Sequence, residues 1–260
     1  MKEEIVKVSR DFWNIRGSFR VGGVIDIRTQ ASLVRLGSGN FVFLDSYSLS
    51  DSVRRRIADF VGPDAEIEAI LNLHPFHTVH VANMHELYPR ATLYGTSRHV
   101  QRFPELPWAA QLTEEKALHK LYADDFAFSV PRGVDFISSN QNIHFSSVLA
   151  LHHESATIHV DDTLMYIKLP MLMRLLGVKD RLGFHPTLSR ALQRRAGAVA
   201  EFRDWANSVI DDWREAQNLC AAHTAPLLGR ANSGAPICDR LQQALHKCDA
   251  RLCAHEKRYG

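Results

Sequence analysis

The feature that most narrows the fold is a short apolar strand that runs straight into histidines. Ile67 to Leu73 is short and mostly apolar, which suits a buried sheet position. Asn72-Leu73-His74-Pro75-Phe76-His77-Thr78-Val79-His80 occupies its C-terminal end, with three imidazoles within seven residues from His74 to His80. Thr78 is placed to cap a helix over Val79 to Leu87, closed before Pro89. In an open α/β sheet, ligands bind where strands end and loops begin, so this loop is where a site is expected.

The flanking pattern predicts helices packed on sheets. Ala31 to Leu36 and Asn40 to Asp45 are β-rich runs around Gly37-Ser38-Gly39, which reads as a hairpin turn. Ser50 to Phe60 has helical spacing, with Val53, Ile57 and Phe60 on one face and Gly62-Pro63 as the stop. Ala91 to Tyr94 reads as a strand and Thr96 to Phe103 as a short helix. Further on, Ile143 to Leu151, Thr157 to Val160 and Thr163 to Leu169 read as strands with tight turns, so part of the sheet is expected to be antiparallel. Ala196 to Trp213 is an amphipathic helix, and Asn218 to Ala222 a brief strand ending at His223. Ala225 to Pro236 reads as a loop and Ile237 to Lys257 as helical. Nothing marks a domain boundary, so 1–260 is read as one domain with a helical C-terminal extension over 237–260.

Composition excludes several classes. Of 260 residues 45% are hydrophobic and 23% charged, which rules out collagen-like and disordered chains. The formal charge is only +2, so bulk electrostatics point to neither nucleic acid nor a membrane surface. No apolar run approaches the ~18 residues of a membrane span, and Met1-Lys2-Glu3-Glu4-Ile5 has no apolar stretch behind it. A cytoplasmic setting with reduced thiols follows for Cys220, Cys238, Cys248 and Cys253. His246, Cys248, Cys253 and His255 lack a C-x-x-C pair, so an amphipathic helix is preferred there over a metal clip.

Histidine is the unusual number, 14 in all, with four between His74 and His85. Imidazole is the commonest neutral metal ligand and serves proton transfer near neutrality. Other polar groups follow predicted strands: His152-His153-Glu154-Ser155, then Asp161-Asp162, then His223. Imidazoles and carboxylates converging from separate strand ends would build a site for zinc, iron or manganese. Neighbours on a strand point to opposite faces, so His152 and His153 are alternatives, as are Asp161 and Asp162. The remaining histidines, His159 among them, are read as hydrogen-bonded structural residues.

The order of these pieces resembles the metallo-β-lactamase superfamily over roughly residues 20–228. That family has an H-x-H-x-D-H loop after a strand, then a lone His, a bridging Asp, and a final His after a short strand. The chain is similar in particular to a divergent branch whose later stretch reads H-x-x-S-x-T before an Asp. Here His152-His153-Glu154-Ser155-Ala156-Thr157 and Asp162 match that stretch. The resemblance implies an α/β fold, a four-layer αββα sandwich with mixed sheets.

The loop itself departs from the family. In the preferred register Asn72, His74, Phe76 and His77 stand at the ligand positions; in the other, Pro75, His77, Val79 and His80 do. Either way the loop Asp is gone, and with it the basis for a two-metal centre. The resemblance then implies one metal, zinc before iron or manganese, drawn from His74, His77, His80, His152, His153, Asp162 and His223, with Asp162 or His77 as general base. The corresponding activity is hydrolysis of a small ester, lactone, amide or thioester. Phe103, Trp108, Phe126 and Phe128 are expected to wall the pocket. The competing reading is a protein with no metal, its site decayed, acting in binding or scaffolding.

Overall fold

The computed structural model describes residues 3–18, 20, 21, 25, 26, 29–169, 171–178, 180–222, 225–229 and 236–260. The chain opens with β1 (Glu4–Lys7) and β2 (Phe12–Gly17), followed by the short ribbon β3 (Arg20–Val21) and β4 (Ile25–Asp26). β5 (Thr29–Arg35) and β6 (Phe41–Leu44) form the expected hairpin, where Gly39 takes φ 95°. Then come α1 (Asp51–Val61), β7 (Ile67–Leu71), α2 (Val81–Leu87) and β8 (Thr92–Tyr94). These strands build a six-stranded sheet in the order β1-β2-β5-β6-β7-β8, antiparallel up to β6 and parallel from there to β8.

After α3 (Ser97–Arg102) and α4 (Lys116–Leu121), the second sheet begins with β9 (Phe126–Ser129), β10 (Leu149–His152) and β11 (Thr157–Val160). A hairpin of β12 (Leu164–Ile167) and β13 (Arg181–Phe184) carries α5 (Met171–Leu175) between its strands. α6 (Leu188–Ala191), α7 (Ala198–Asp212), β14 (Asn218–Ala221), α8 (Ile237–His246) and α9 (Asp249–Tyr259) complete the chain. The second sheet has the order β14-β11-β10-β9, with β14 parallel to β11 and the rest antiparallel.

Strand parity sorts the apolar side chains into layers. Leu33, Phe41, Phe43 and Ile70 share a cluster with Val53, Ile57 and Met84 of α1 and α2. Their neighbours Val34, Val42, Leu44, Ala69 and Leu71 join Val148, Ala150 and Cys220 between the two sheets. Leu149, Leu151, Ile158, Val160 and Leu219 face Val199, Phe202, Trp205 and Leu241 of α7 and α8. The result is helix, sheet, sheet, helix, as expected.

One end of the space between the sheets is polar. Asn14 and Arg16 continue the inward parity of Phe12, and Gln30 and Ser32 that of Val34, and all four are buried. That polar alternation is why β2 does not stand out as a strand in the sequence.

Three sequence expectations change. The strand expected from Ile143 begins only at Leu149. Thr78 does not cap α2; its amide bonds to the Phe76 carbonyl, and the helix starts after His80. The C-terminal segment is two helices that break around Lys247 and Cys248 and pack into the α7 layer. Among the described residues no helix is long and apolar enough to cross a membrane.

Candidate metal centre

The first three residues of the loop after β7 are each held by hydrogen bonds. Asn72 donates from Nδ2 to the Tyr94 carbonyl at 2.9 Å and accepts Ser46 Oγ at 2.6 Å. The Leu73 and His74 amides both donate to Asp45 Oδ1, at 2.7 and 3.3 Å. Asp45 sits just past β6 at φ 60°, a left-handed conformation that a non-glycine residue rarely takes. The Val148 amide donates to the Leu73 carbonyl at 3.0 Å, tying the loop to the second sheet.

These restraints bring two imidazoles against the end of β11. His74 and His77 stack with ring centroids 4.0 Å apart. His74 Nε2 lies 3.2 Å from Asp162 Oδ2, and His77 Nε2 lies 3.5 Å from the same oxygen. His77 Nδ1 donates to Asp161 Oδ2 at 2.9 Å. Asp162 has φ 51°, and Thr163 closes a three-residue turn around it by donating to the Asp161 carbonyl. This turn presents both carboxylates to the histidine pair, so the choice between Asp161 and Asp162 dissolves: each takes a different nitrogen.

Charge is arranged accordingly. Burial lowers the pKa of His74, helped by the neighbouring His77, while the Asp162 carboxylate partly offsets both. Burial also opposes a charge on His77, but its bonds to Asp161 and Asp162 prevail and raise its pKa well above the ordinary value. Asp161 is buried, which alone would raise its pKa; the bond to His77 and its charge hold it at about 2.

Behind Asp161 lies the polar end of the sandwich. Gln30 Nε2 donates to Asp161 Oδ1 at 2.5 Å, and Gln30 Oε1 accepts from Arg16 Nη1 at 2.8 Å. Arg16 Nη1 also reaches the Ala221 carbonyl at 2.7 Å. A parallel path holds Asp45: His159 Nε2 donates to Asp45 Oδ2 at 3.0 Å, and Ser32 Oγ pairs with His159 Nδ1 at 2.9 Å. His159 is therefore the buried link that orients Asp45.

Among the described residues two groups have ligand atoms close enough for one ion, His74 with His77 and Asp162, and Asp45 with His159 and Asp161. In the second, each member already has a hydrogen-bonding partner, so it is a bracket. In the first, His74 Nε2 is fully buried and its approach to Asp162 lacks hydrogen-bond alignment. Two imidazoles and a carboxylate match the ligand types of zinc, iron and manganese, so a single divalent metal fits this group. Beside the group, Phe76 is stacked on His144 at 4.6 Å with the Arg98 guanidinium 4.5 Å above its ring.

The other candidates lie elsewhere. His80 is outside the group, its Nδ1 paired with Ser48 Oγ at 2.9 Å. His152 and His153 stand at the turn of the β10–β11 hairpin, the end opposite Asp161 and Asp162. His152 Nδ1 pairs with Ser155 Oγ at 2.8 Å and the ring packs on Phe126, so the H-x-x-S-x-T stretch closes a hairpin turn. Burial lowers the His152 pKa to about 4. His153 is exposed. The expectation that either shares an edge with Asp162 is corrected by this antiparallel register. His223 lies outside the described residues.

The expected aromatic wall is corrected too. Phe126 is buried beside His152, Phe128 stacks on His119, and Trp108 Nε1 donates to the Phe103 carbonyl. Phe76 and His144 flank His74, Arg98 lies over the Phe76 ring, and His99 reaches the His77 carbonyl. Gln30, Arg16 and Ser32 had one sequence signal, polar residues two apart inside apolar strands.

Solved structures that share this fold over nearly the whole chain are metallo-β-lactamases. TMB-1 matches with a TM-score of 0.61 at 12% identity, covering 95% of this chain and 98% of that one. DIM-1, in a crystal exposed to ceftazidime, matches at 0.59 and 11% identity with the same coverage of 95% and 98%. The enzyme from Erythrobacter litoralis matches at 0.57 and 13%, covering 94% and 96%. The chain thus has the metallo-β-lactamase fold. No protein-family model and no curated protein sequence matches it.

Proposed function

We propose that the chain is a hydrolase-like protein that holds one divalent metal between His74, His77 and Asp162. The observation that supports this is the buried His74 Nε2, which has no aligned hydrogen-bond partner and stands in a two-histidine, one-carboxylate group. Zinc is the preferred ion, with iron or manganese behind it. A metal bound there would lower the pKa of its water toward ~7 and make hydroxide available at neutral pH.

The chain's own residues do the rest. Asp161 holds the His77 ring by Nδ1 and turns Nε2 toward Asp162. Asp161 and Asp162 favour the protonated form of His77, so a metal held by this ring would have to displace that proton. Asp162, through a carboxylate oxygen the metal does not take, would then be placed to accept a proton from water. The substrate class is a small ester, lactone, amide or thioester, with no nucleic acid involved, and the setting is cytoplasmic. β14 and β11 run parallel with Ala221 beside Val160, so both strands end at one edge. His223 follows two residues later in sequence and is the further ligand we would test.

A specific observation favours the second reading, a metal-free binding or scaffolding role. The Phe76 amide donates to His74 Nδ1 at 3.1 Å, which puts the proton of neutral His74 on Nε2. Asn72 is likewise committed to Ser46 and Tyr94. Elemental analysis of untagged protein purified without added metal separates the two. About one zinc, iron or manganese per chain, lost in His74→Ala, Asp162→Ala and His223→Ala, supports the metal site. No metal, and no uptake on soaking with zinc, overturns it.

A further inference from the structure

The exposed apolar residues of this protein are not scattered. Of the nine large hydrophobic side chains exposed among the described residues, seven fall between Ile167 and Val178. Met171, Leu172, Leu175 and Leu176 are 74%, 70%, 72% and 75% exposed, on and just after α5 at the tip of the β12–β13 hairpin. At about 100° per residue, positions 171, 172, 173, 175 and 176 span roughly 200° of a helix circumference. A helix that turned an apolar band of that width inward would be ordinary; this one turns it to solvent.

The tip is held at its base. Tyr166 donates its hydroxyl to Asp180 Oδ2 at 2.7 Å, and the Leu169 amide donates to Asp180 Oδ1 at 2.8 Å. Lys168 and Arg181, which flank the tip, are both exposed. An apolar prong with basic residues at its foot suits a bilayer interface, with the side chains among acyl chains and the cations at anionic headgroups. A second copy of the chain is a poorer occupant. A five-residue helix tip falls far short of the ~800 Å² per partner of a stable interface, and lysine is depleted in such interfaces.

We propose that this prong docks the protein peripherally on an anionic lipid surface. The small net charge of +2 and the lack of a membrane-spanning helix among the described residues bear on neither part of this, since the charge is local and the attachment shallow. The test is co-sedimentation of the full chain with vesicles of phosphatidylcholine alone or mixed with phosphatidylglycerol. The mixed vesicles should capture the protein, and added salt should weaken capture. Leu172→Asp with Leu176→Asp should lower partitioning at least tenfold, with an unchanged circular dichroism spectrum, because about two buried leucines are lost. Arg181→Gln should lower it about fivefold on mixed vesicles only. Leu121→Asp, exposed on α4, should change nothing. Absence of binding to mixed vesicles overturns the proposal, as does full binding by the double variant. So does a dimer in sedimentation velocity that the same double substitution dissolves, which would assign the prong to a second copy.

Discussion

Gln30 and Asp161 lie 131 residues apart in the chain and meet at 2.5 Å between the two sheets. The contact makes the outer strands of the first sheet part of the candidate site. Arg16 holds Gln30, Gln30 holds Asp161, and Asp161 holds His77. A carboxylate accepting from both sides cannot swing away from the imidazole it orients.

Gln30→Leu should therefore be costly although it adds apolar surface. It removes the donor to Asp161, to the Val160 carbonyl and to the Cys220 carbonyl, and the acceptor for Arg16. Buried groups left without partners cost about 2–4 kcal/mol in such cases. Urea unfolding reads this directly; a midpoint equal to wild type would show that the network contributes nothing.

Asp161→Asn should act on His77 in particular. The carboxylate on Nδ1 is one of the groups that raise the His77 pKa, so the metal-free variant should titrate lower than metal-free wild type. A ring-proton NMR titration resolves the two, and the variant should also take up metal with less proton release.

Stability should fall on acidification through two buried histidines outside the His74–His77–Asp162 group. Burial lowers both His99 and His152 to about 4. Between ~6.5 and that value the unfolded chain binds more protons than the folded one, so stability rises with pH by up to ~1.4 kcal/mol per unit for each. Their contribution is complete above ~6.5 and lost as pH falls toward 4. His77 has the opposite sign: its raised pKa stabilises at low pH, and that part is lost as pH rises through its folded value. Denaturation midpoints across this range check the slope, and replacing His152 by Gln should flatten it.

Thiol reactivity should divide the cysteines. Cys253 is exposed, whereas Cys220 is buried between the sheets and burial pushes its pKa up to about 12. Cys248 is buried and raised as well. An aromatic disulfide reagent should label Cys253 first and leave Cys220 and Cys248 until the protein unfolds. Early labelling of Cys220 would mean that the sandwich opens locally.

Much of the architecture was legible in the chain. The Gly37-Ser38-Gly39 hairpin, α1, β7, β11, α7 and β14 follow from local periodicity, and the family likeness supplied their arrangement. His74, His77 and Asp162, placed together on that likeness, do meet. His152 was not legible in the same way. A strand end followed by histidines looks alike whichever edge it reaches, and only the antiparallel pairing of β10 with β11 sends His152 away from Asp161. Phe126 failed as a pocket wall for the same reason, since it pairs with His152 at that far end.

By itself the sequence determined where strands end, which faces are apolar and which residue types wait at the ends, because these depend on neighbours a few positions apart. Tertiary structure alone decided which ends share an edge. That choice rests on strand direction and on contacts such as Gln30 with Asp161 and Asp45 with His159, separated by 131 and 114 residues. It also decided that the Ile167–Val178 stretch meets solvent, since apolar residues of that spacing are equally suited to a core until the rest of the fold leaves no face for them to cover.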